Sequence, residues 1–274
     1  GLNDLLDNKR YEIENLLKHQ DLWHSLDHHG SFSAKGSDQV LKAINQGLLL
    51  AQQHLQETNV LFVTLGTAWV FENKKTAKVV NNCHKLPATD FNRYRLSVET
   101  IVEQLATALS RLYQKRPGIQ VVFTVSPIRH LKDGASENQL SKSTLLLAID
   151  ELKQIFPQIY YFPAYELMMD ELRDYRFYAR DLTHPNDLAI EYIWERFEET
   201  CLLKTEQTLR NKIDKLLQSL EHRPIHIETL QHKDHIEKLL KEFELLDKTN
   251  SYLNFEGEMR YLSSQIDAIK SLRL

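Results

Sequence analysis

Three short runs of almost continuously apolar residues, separated by segments with helical spacing, constrain the fold of this chain more than any other feature. The runs are "NVLFVTLG" (59–66), "IQVVFTVSP" (119–127) and "IYYFPAYE" (159–166). Strands that are buried on both faces of a sheet show this pattern. Helical spacing follows the runs over residues 98–114, 141–155 and 187–203. The alternation predicts an α/β fold, a three-layer α/β/α sandwich with a mainly parallel sheet.

The sequence pattern on either side of this core predicts helices. Apolar spacing predicts helices over residues 2–18 and 39–58, with a polar loop between them. After about residue 204 the strand pattern ends, and apolar stripes over 209–220, 236–243 and 259–269 predict helices, with "EHRPIH" (221–226) as a break. We therefore expect an α/β domain over residues 1–203 and a C-terminal helical extension over 204–274. Two uses of the extension remain open: packing on the main domain, or joining subunits of a homo-oligomer.

Composition excludes several classes of partner. The net charge of −4 and the pI near 6.3 argue against a nucleic-acid-binding surface. No apolar run has the length of a membrane span. Cys83 and Cys201 lie too far apart in sequence for a zinc motif or a disulfide framework, and they fit reduced thiols in a cytoplasmic location. We expect no cofactor.

The stretch "RDLTHP" (180–185) holds the strongest candidates for chemistry. A carboxylate three residues before an imidazole can accept a hydrogen bond from one ring nitrogen and leave the other free to act as a base. Asp181 and His184 have this spacing, and Pro185 suits the first turn of the helix that follows. One alternative remains open, because short matches of this kind are common by chance. In that alternative, Asp181 or Thr183 caps the helix and His184 is an ordinary loop residue.

Polar residues that directly follow the predicted strands form a second set of candidates, since sites in parallel α/β sheets lie at the carboxyl ends of the strands. Gly66 follows the first run, and Ser126, Arg129 and His130 follow the second. Arg129 suits an anionic or polyhydroxylated ligand, because a guanidinium is a planar fork of donors, but it could equally form a structural ion pair. Ser126 precedes a proline without a nucleophile-elbow motif around it, which favours a turn over a nucleophile.

A histidine-rich stretch, "WHSLDHH" (23–29), and the segment "NNCH" (81–84) supply the remaining candidates. His24 and His28 are four residues apart, which would suit a metal site on a helix. The glycine and serine content predicts a loop instead, so we expect no metal site and keep a metal-dependent phosphoesterase as a minor alternative. An asparagine here could donate to an oxyanion or be a loop amide. The candidates for substrate contact from these segments are Trp23, His28, His29, Asn82 and His84.

Several longer blocks resemble the bacterial GSCFA family. They include "DLWHSLDHHGSFS", "TLGTAWVFE", "NNCHKLPATDF", "TVSPIRHLKDG" and "RDLTHP", in the family's order between about residues 23 and 197. That family is similar to SGNH/GDSL-type hydrolases, which are α/β/α sandwiches with a Ser-His-Asp catalytic set. The resemblance implies that His184 is the base and Asp181 its orienting acid. It also implies a hydrolase or acyltransferase acting on O-acyl esters, including those of carbohydrates or cell-envelope glycans.

The chain departs from the pattern of these hydrolases at two places. The family's Gly-Ser-Cys-Phe-Ala block, whose Ser matches the nucleophile, does not occur in the 274 residues and is expected upstream of residue 1. Gly66 matches the glycine that contributes to the oxyanion hole, but Ala68 stands where related enzymes have an Asn, and Asn82 is the candidate replacement. Without the Ser-bearing segment we expect no acyl hydrolysis. A non-catalytic binding or scaffold protein on a decayed hydrolase fold is the alternative function.

Overall fold

The computed structural model describes residues 1–221 and 229–271. The chain divides into two compact units, Gly1–Ile193 and Trp194–Leu274. The first unit is mixed α/β and the second is helical in its described part. The fold class expected from the sequence, an α/β protein with a parallel sheet and a C-terminal helical region, is therefore confirmed. The boundary predicted after residue 203 stays a prediction.

The start of the first unit differs from the helix predicted over residues 2–18. Helical geometry ends where Asn8 takes a φ of 51°. Tyr11 then turns inward until it is only 2% exposed, and its backbone N–H and C=O bond the side-chain amide of Asn45 at 2.8 and 2.9 Å. The prediction is wrong because burial of Tyr11 outweighs local helical spacing. The elements formed here are α1 (Leu2–Leu6), a 3₁₀ turn (Ile13–Asn15), β1 (Leu17–His19), β2 (Leu22–His24) and α2 (Ser37–Glu57).

The middle of the first unit contains the predicted parallel sheet. Its elements in chain order are β3 (Val60–Leu65), β4 (Trp69–Asn73), β5 (Lys78–Val80), β6 (Phe91–Arg95), α3 (Val98–Lys115), β7 (Gln120–Val125), α4 (Ala135–Ile155) and β8 (Ile159–Phe162). The strand order β3-β7-β8 is parallel throughout. The three apolar runs are thus strands, although the third strand is shorter than its run. Helix α4 begins six residues before the predicted start at 141.

The core of this unit lies between the sheet and the helix pair α3 and α4. Inward-facing residues of β7 are almost fully buried, because β7 is the central strand of the three. They pack against leucines and isoleucines that recur at helical spacing on α3 and α4. The principal contributors are Val121, Phe123, Val125, Leu109, Leu112, Leu145, Ile149 and Leu152.

A small antiparallel sheet, of strand order β5-β4-β6, was not predicted from the sequence. It follows the carboxyl end of β3, and a charged pair fixes it to the loop after β7. Arg93 of β6 donates two hydrogen bonds to Asp133, at 2.5 and 2.6 Å, and its guanidinium lies 4.4 Å from the ring centroid of Trp69. This bidentate, stacked arrangement is one that arginine can make and lysine cannot.

The remaining elements are α5 (Ala164–Glu166) with a π-helical turn (Leu167–Glu171), α6 (Asp187–Cys201), α7 (Lys204–Glu221), α8 (Leu230–Thr249) and α9 (Glu256–Ser271). In the second unit the three predicted apolar stripes of 209–220, 236–243 and 259–269 meet in one buried cluster, as expected for a helical extension. Most of the predicted break at 221–226 lies outside the described residues. Across residues 1–221 and 229–271, every helix is too short or too polar to cross a bilayer.

Replacing Phe123 by alanine tests the position of the core. Phe123 is 1% exposed on the central strand, so the substitution should lower the free energy of unfolding of the first unit by about 3–5 kcal/mol. Urea unfolding followed by circular dichroism measures the change. Val60→Ala on β3 is the control, because Val60 is 43% exposed and its loss should cost about 1 kcal/mol or less. Equal effects of both substitutions would contradict this core.

Candidate active site

The parallel register brings the polar residues that follow the strands to one edge of the sheet. Leu65 pairs with Val125 at the ends of β3 and β7, and β8 ends beside them at Phe162. Gly66 and Ser126 are therefore neighbours just beyond this carboxyl edge. The backbone N–H of Ser126 donates to the carbonyl of Leu65 at 2.9 Å, which extends the pairing by one residue.

The loop that carries the predicted Asp–His pair is a tight turn closed by backbone contacts. Tyr178 and Pro185 form an isolated antiparallel bridge, and Ala179 donates to the carbonyl of His184 at 2.8 Å. The side chain of Asn186 accepts from the N–H of Ala189 at 3.1 Å and caps α6. Neither Asp181 nor Thr183 caps this helix, so the capping role in that alternative is wrong. The prediction that Pro185 lies in its first turn is also wrong, since α6 begins at Asp187.

Asp181 accepts three hydrogen bonds within this turn. Its Oδ1 atom receives the backbone N–H groups of Thr183 and His184, both at 2.9 Å, and its Oδ2 atom lies 2.5 Å from Nδ1 of His184. These bonds stabilise the carboxylate and lower the pKa of Asp181 to about 2, with the two backbone donors as the larger causes. The His184 side chain is 56% exposed, so its Nε2 atom remains accessible to a substrate. This arrangement fixes the tautomer that a general base needs.

Arg129, in the loop after β7, holds the same turn. Its guanidinium donates to the carbonyl of Leu182 at 2.5 Å and lies 4.8 Å from the ring centroid of Tyr178. Leu182 has a φ of 56°, a left-handed conformation that is unfavourable for leucine. The bond from Arg129 stabilises this conformation. Two roles were predicted for Arg129, a ligand contact or a structural ion pair. The described contacts show a different role, because Arg129 supports the turn that carries Asp181 and His184.

His130 lies at the same edge, beside Gly66. A Cβ atom placed on Gly66 would lie 3.7 Å from Nε2 of His130, so the ring occupies the space next to the glycine. The backbone N–H of His130 donates to the buried side chain of Asn138 at 2.8 Å, which fixes the start of the loop. Partial burial lowers the pKa of His130, and the neighbouring charges of Lys142 and His184 lower it further.

Helix α4 supplies three buried polar residues that sequence reasoning missed. Asn138, Ser141 and Lys142 are each at most 5% exposed and have the i, i+3, i+4 spacing of one helix face. Ser141 receives the backbone N–H of Ala68 at 2.8 Å and lies 3.0 Å from the hydroxyl of Thr67. The polar face in "NQLSK" (138–142) was a usable signal, but the predicted helix began only at 141 and hid it.

The candidates from the histidine-rich stretch form a separate group. The rings of His24 and His84 lie 4.5 Å apart between centroids, and Nε2 of His84 donates to the carbonyl of Ser25 at 2.7 Å. His28 bonds the hydroxyl of Ser25 at 2.9 Å, and the Oδ1 atom of Asn82 accepts the backbone N–H of His84 at 2.8 Å. Trp23 bonds Ala34, and His29 bonds Ser31. The structure thus brings together Asp181, His184, Gly66, Arg129 and His130, whereas the described hydrogen bonds of Trp23, His28, His29, Asn82 and His84 go to other residues.

Two alternative chemistries find little support at these positions. In the part of the chain that the structure describes, no three His, Cys, Asp or Glu side chains are placed to hold a metal ion. The hydroxyl of Ser126 accepts the backbone N–H of Ile128 at 3.3 Å, which is the geometry of a turn.

Fold and site together define an α/β protein with an exposed Asp–His pair at the carboxyl edge of a parallel sheet. The chain belongs to the GSCFA family: residues 1–197 match the model of that family, and residues 213–268 match the model described as "GSCFA domain protein, C-terminal domain". The expected family resemblance is therefore confirmed. No curated protein and no solved structure matches the chain.

The titration of Asp181 tests the geometry of the turn. Because its pKa is lowered below the usual carboxyl value of about 3.9, the carboxylate contacts are complete above about pH 4 and are lost as the pH falls through about 2. Carboxyl-carbon NMR should show this low midpoint. In His184→Ala most of the lowering should persist, since the two backbone donors remain. A midpoint that returns to about 3.9 in this variant would contradict the assignment of causes.

Proposed function

We propose that this protein is an SGNH-like serine hydrolase or acyltransferase that acts on O-acyl esters, including acyl esters of carbohydrates or cell-envelope glycans. One observation carries the proposal: an imidazole fixed by a carboxylate is exposed at the carboxyl edge of the sheet. This edge is where parallel α/β proteins form their sites. Membership of the GSCFA family adds support, since the Asp181–His184 spacing matches the acid and base of the related hydrolases.

The residues present divide the work of acyl transfer between them. His184 takes the proton of the attacking serine hydroxyl on Nε2, while Asp181 keeps Nδ1 protonated and stabilises the imidazolium that forms. The N–H of Gly66 is a donor for the developing oxyanion. It bonds no acceptor among the described residues.

The nucleophile in this proposal is the serine of the family's Gly-Ser-Cys-Phe-Ala block, which does not occur in the 274 residues. Neither Ser126 nor Ser141 takes its place, because the hydroxyl of Ser126 belongs to a turn and that of Ser141 bonds Ala68. We therefore assign activity to a form of the protein that carries this block. The 274-residue chain alone supplies the base, its orienting acid and one oxyanion donor.

A non-catalytic binding protein is the second candidate, and one observation favours it. The stretch after Gly66 lacks the oxyanion asparagine, and the Thr67 hydroxyl and the backbone N–H groups of Ala68 and Trp69 are already paired. Ser141 holds the N–H of Ala68, and the hydroxyl of Thr67 receives the N–H of Trp69 at 3.1 Å. A serine-reactive phosphonate separates the two functions. It should label the protein that carries the Gly-Ser-Cys-Phe-Ala block if the protein is an enzyme, and leave it unlabelled if the fold only binds.

Replacing His184 by alanine should lower kcat/KM for a small O-acetyl ester by about 10⁴-fold or more, because the base is lost. Asp181→Asn should cost about 10⁴-fold through the wrong tautomer. Turnover of p-nitrophenyl acetate by the protein that carries the Gly-Ser-Cys-Phe-Ala block measures both changes. His54→Ala, an exposed histidine on α2, is the matched control and should keep the wild-type rate. Equal turnover by wild type and His184→Ala would refute His184 as the base.

A further inference from the structure

Lys142 is a fully buried cation at the edge of the sheet. Its side chain is 0% exposed, and Nζ donates to the carbonyls of Gly66 and Ser126, both at 2.7 Å. Within residues 1–221 and 229–271 it makes no ion pair with a carboxylate, and burial lowers its pKa to about 8. Burying an unpaired charge is costly, so a lysine is a poor choice if filling this space were its only task.

The two carbonyls that Lys142 binds belong to the residues that directly follow β3 and β7. Gly66 offers its N–H to the site, and Ser126 begins the loop that leads to His130. A bond to each carbonyl fixes the peptide plane on either side of the sheet edge. The single ammonium group of Lys142 therefore fixes the orientation of the peptide at Gly66 and the position of Ser126, where the loop that carries His130 begins.

His130 has a ring that is exposed and free to meet a ligand. Neither ring nitrogen bonds another group in the described part of the chain. Nε2 points toward the space beside Gly66, and Asn138, one helical turn from Lys142 on α4, holds the backbone of His130. The ring thus lies where a donor could join the N–H of Gly66 on one oxygen atom.

The two histidines at this edge have opposite electrostatic surroundings. Nδ1 of His184 lies 2.5 Å from the Asp181 carboxylate, whereas burial, and after it the nearby Lys142 and His184, lower the pKa of His130. When two titratable groups of one site have different electrostatic environments, they can take different roles in acid–base chemistry. His184 is suited to accept a proton, and His130 is suited to stay neutral and donate a hydrogen bond.

We propose that His130 donates Nε2–H to the oxyanion of the acyl-transfer intermediate, beside the N–H of Gly66, and that Lys142 is the positioning residue for both donors. This inference rests on the proposed acyl-transfer function. In this proposal His130, in the loop after β7, supplies a side-chain donor. That donor is missing at Ala68, where related hydrolases have an asparagine.

The reaction step balances with these groups. The serine oxygen forms a bond to the acyl carbon as its proton passes to Nε2 of His184, and the carbonyl π electrons move to the oxygen that Gly66 and His130 bind. When the carbonyl re-forms, the bond to the leaving alkoxide breaks, and His184 returns the proton to that alkoxide. His130 keeps its own proton throughout, so it acts through a hydrogen bond alone.

The test compares two substitutions of His130 in the protein that carries the Gly-Ser-Cys-Phe-Ala block. His130→Phe keeps a ring but has no donor, so kcat for p-nitrophenyl acetate should fall about 10²–10³-fold while KM stays nearly unchanged. His130→Gln restores an N–H donor and should recover part of the loss. If wild type turns over the ester, His184→Ala does not, and His130→Phe equals wild type, this inference fails while the proposed function stands. If wild type neither turns over the ester nor reacts with a phosphonate, the proposed function fails and this inference with it.

A second measurement tests Lys142 without any need for activity. Histidine NMR titration of the 274-residue chain should place the His130 midpoint below the usual value of about 6.5, and Lys142→Met should raise it. Lys153→Met, on the exposed side of α4, is the matched control and should leave the midpoint in place. The charge of Lys142 acts on the His130 ring through space, so an unchanged midpoint in Lys142→Met would show that the ammonium group does not face this ring and would overturn the positioning role. His130 is exposed, so its variants remain informative if Lys142→Met folds poorly.

Discussion

The parallel register of β3 and β7 is the constraint on which the candidate site depends. Pairing of Leu65 with Val125 ends both strands at the same level, so the residues that follow them emerge side by side. Burial of one face of β7 favours this register, because a slip of one residue would expose Val121, Phe123 and Val125. Lys142 then joins the two chain segments just beyond the last paired residues. The core thus determines where the chemistry lies, and one buried ammonium group fixes the local geometry of the edge.

The loop that carries Asp181 and His184 is distant in sequence from these strands, and it reaches their edge by a different set of forces. Its shape comes from hydrogen bonds rather than from apolar packing, since both side chains are about half exposed. Asp181 organises the turn through two backbone donors, and Arg129 ties it to the loop after β7 at the carbonyl of Leu182. The Asp181 carboxylate thus has two tasks: it stabilises the turn, and it orients the imidazole of His184 for the proposed chemistry. Loss of that carboxylate would disturb both.

The sequence predicts some of these features and hides others for identifiable reasons. Continuous apolar runs identified β3 and β7, and the D-x-x-H spacing identified Asp181 and His184, because both signals are local. The helix over residues 2–18 failed, since burial of Tyr11 depends on a partner 34 residues away. The antiparallel sheet escaped notice because its strands are short and mix polar with apolar residues. Lys142 could not be recognised as buried before the face of α4 that meets the sheet was known.

The hydrolase pattern has an asparagine after Gly66 that this chain lacks. Either the oxyanion site has been lost, or another residue has taken over the role of the asparagine, and the contacts favour the second explanation. In a decayed site, the groups around a lost asparagine would have no reason to stay organised. Here Ser141 holds Ala68, Lys142 holds Gly66, and Asn138 holds the backbone of His130, all from one face of α4. Burying three polar residues on one helix face requires each to find a hydrogen-bond partner, and each of the three has one. This organised polar face fits a site in which His130 takes over the role of the missing asparagine, as we propose.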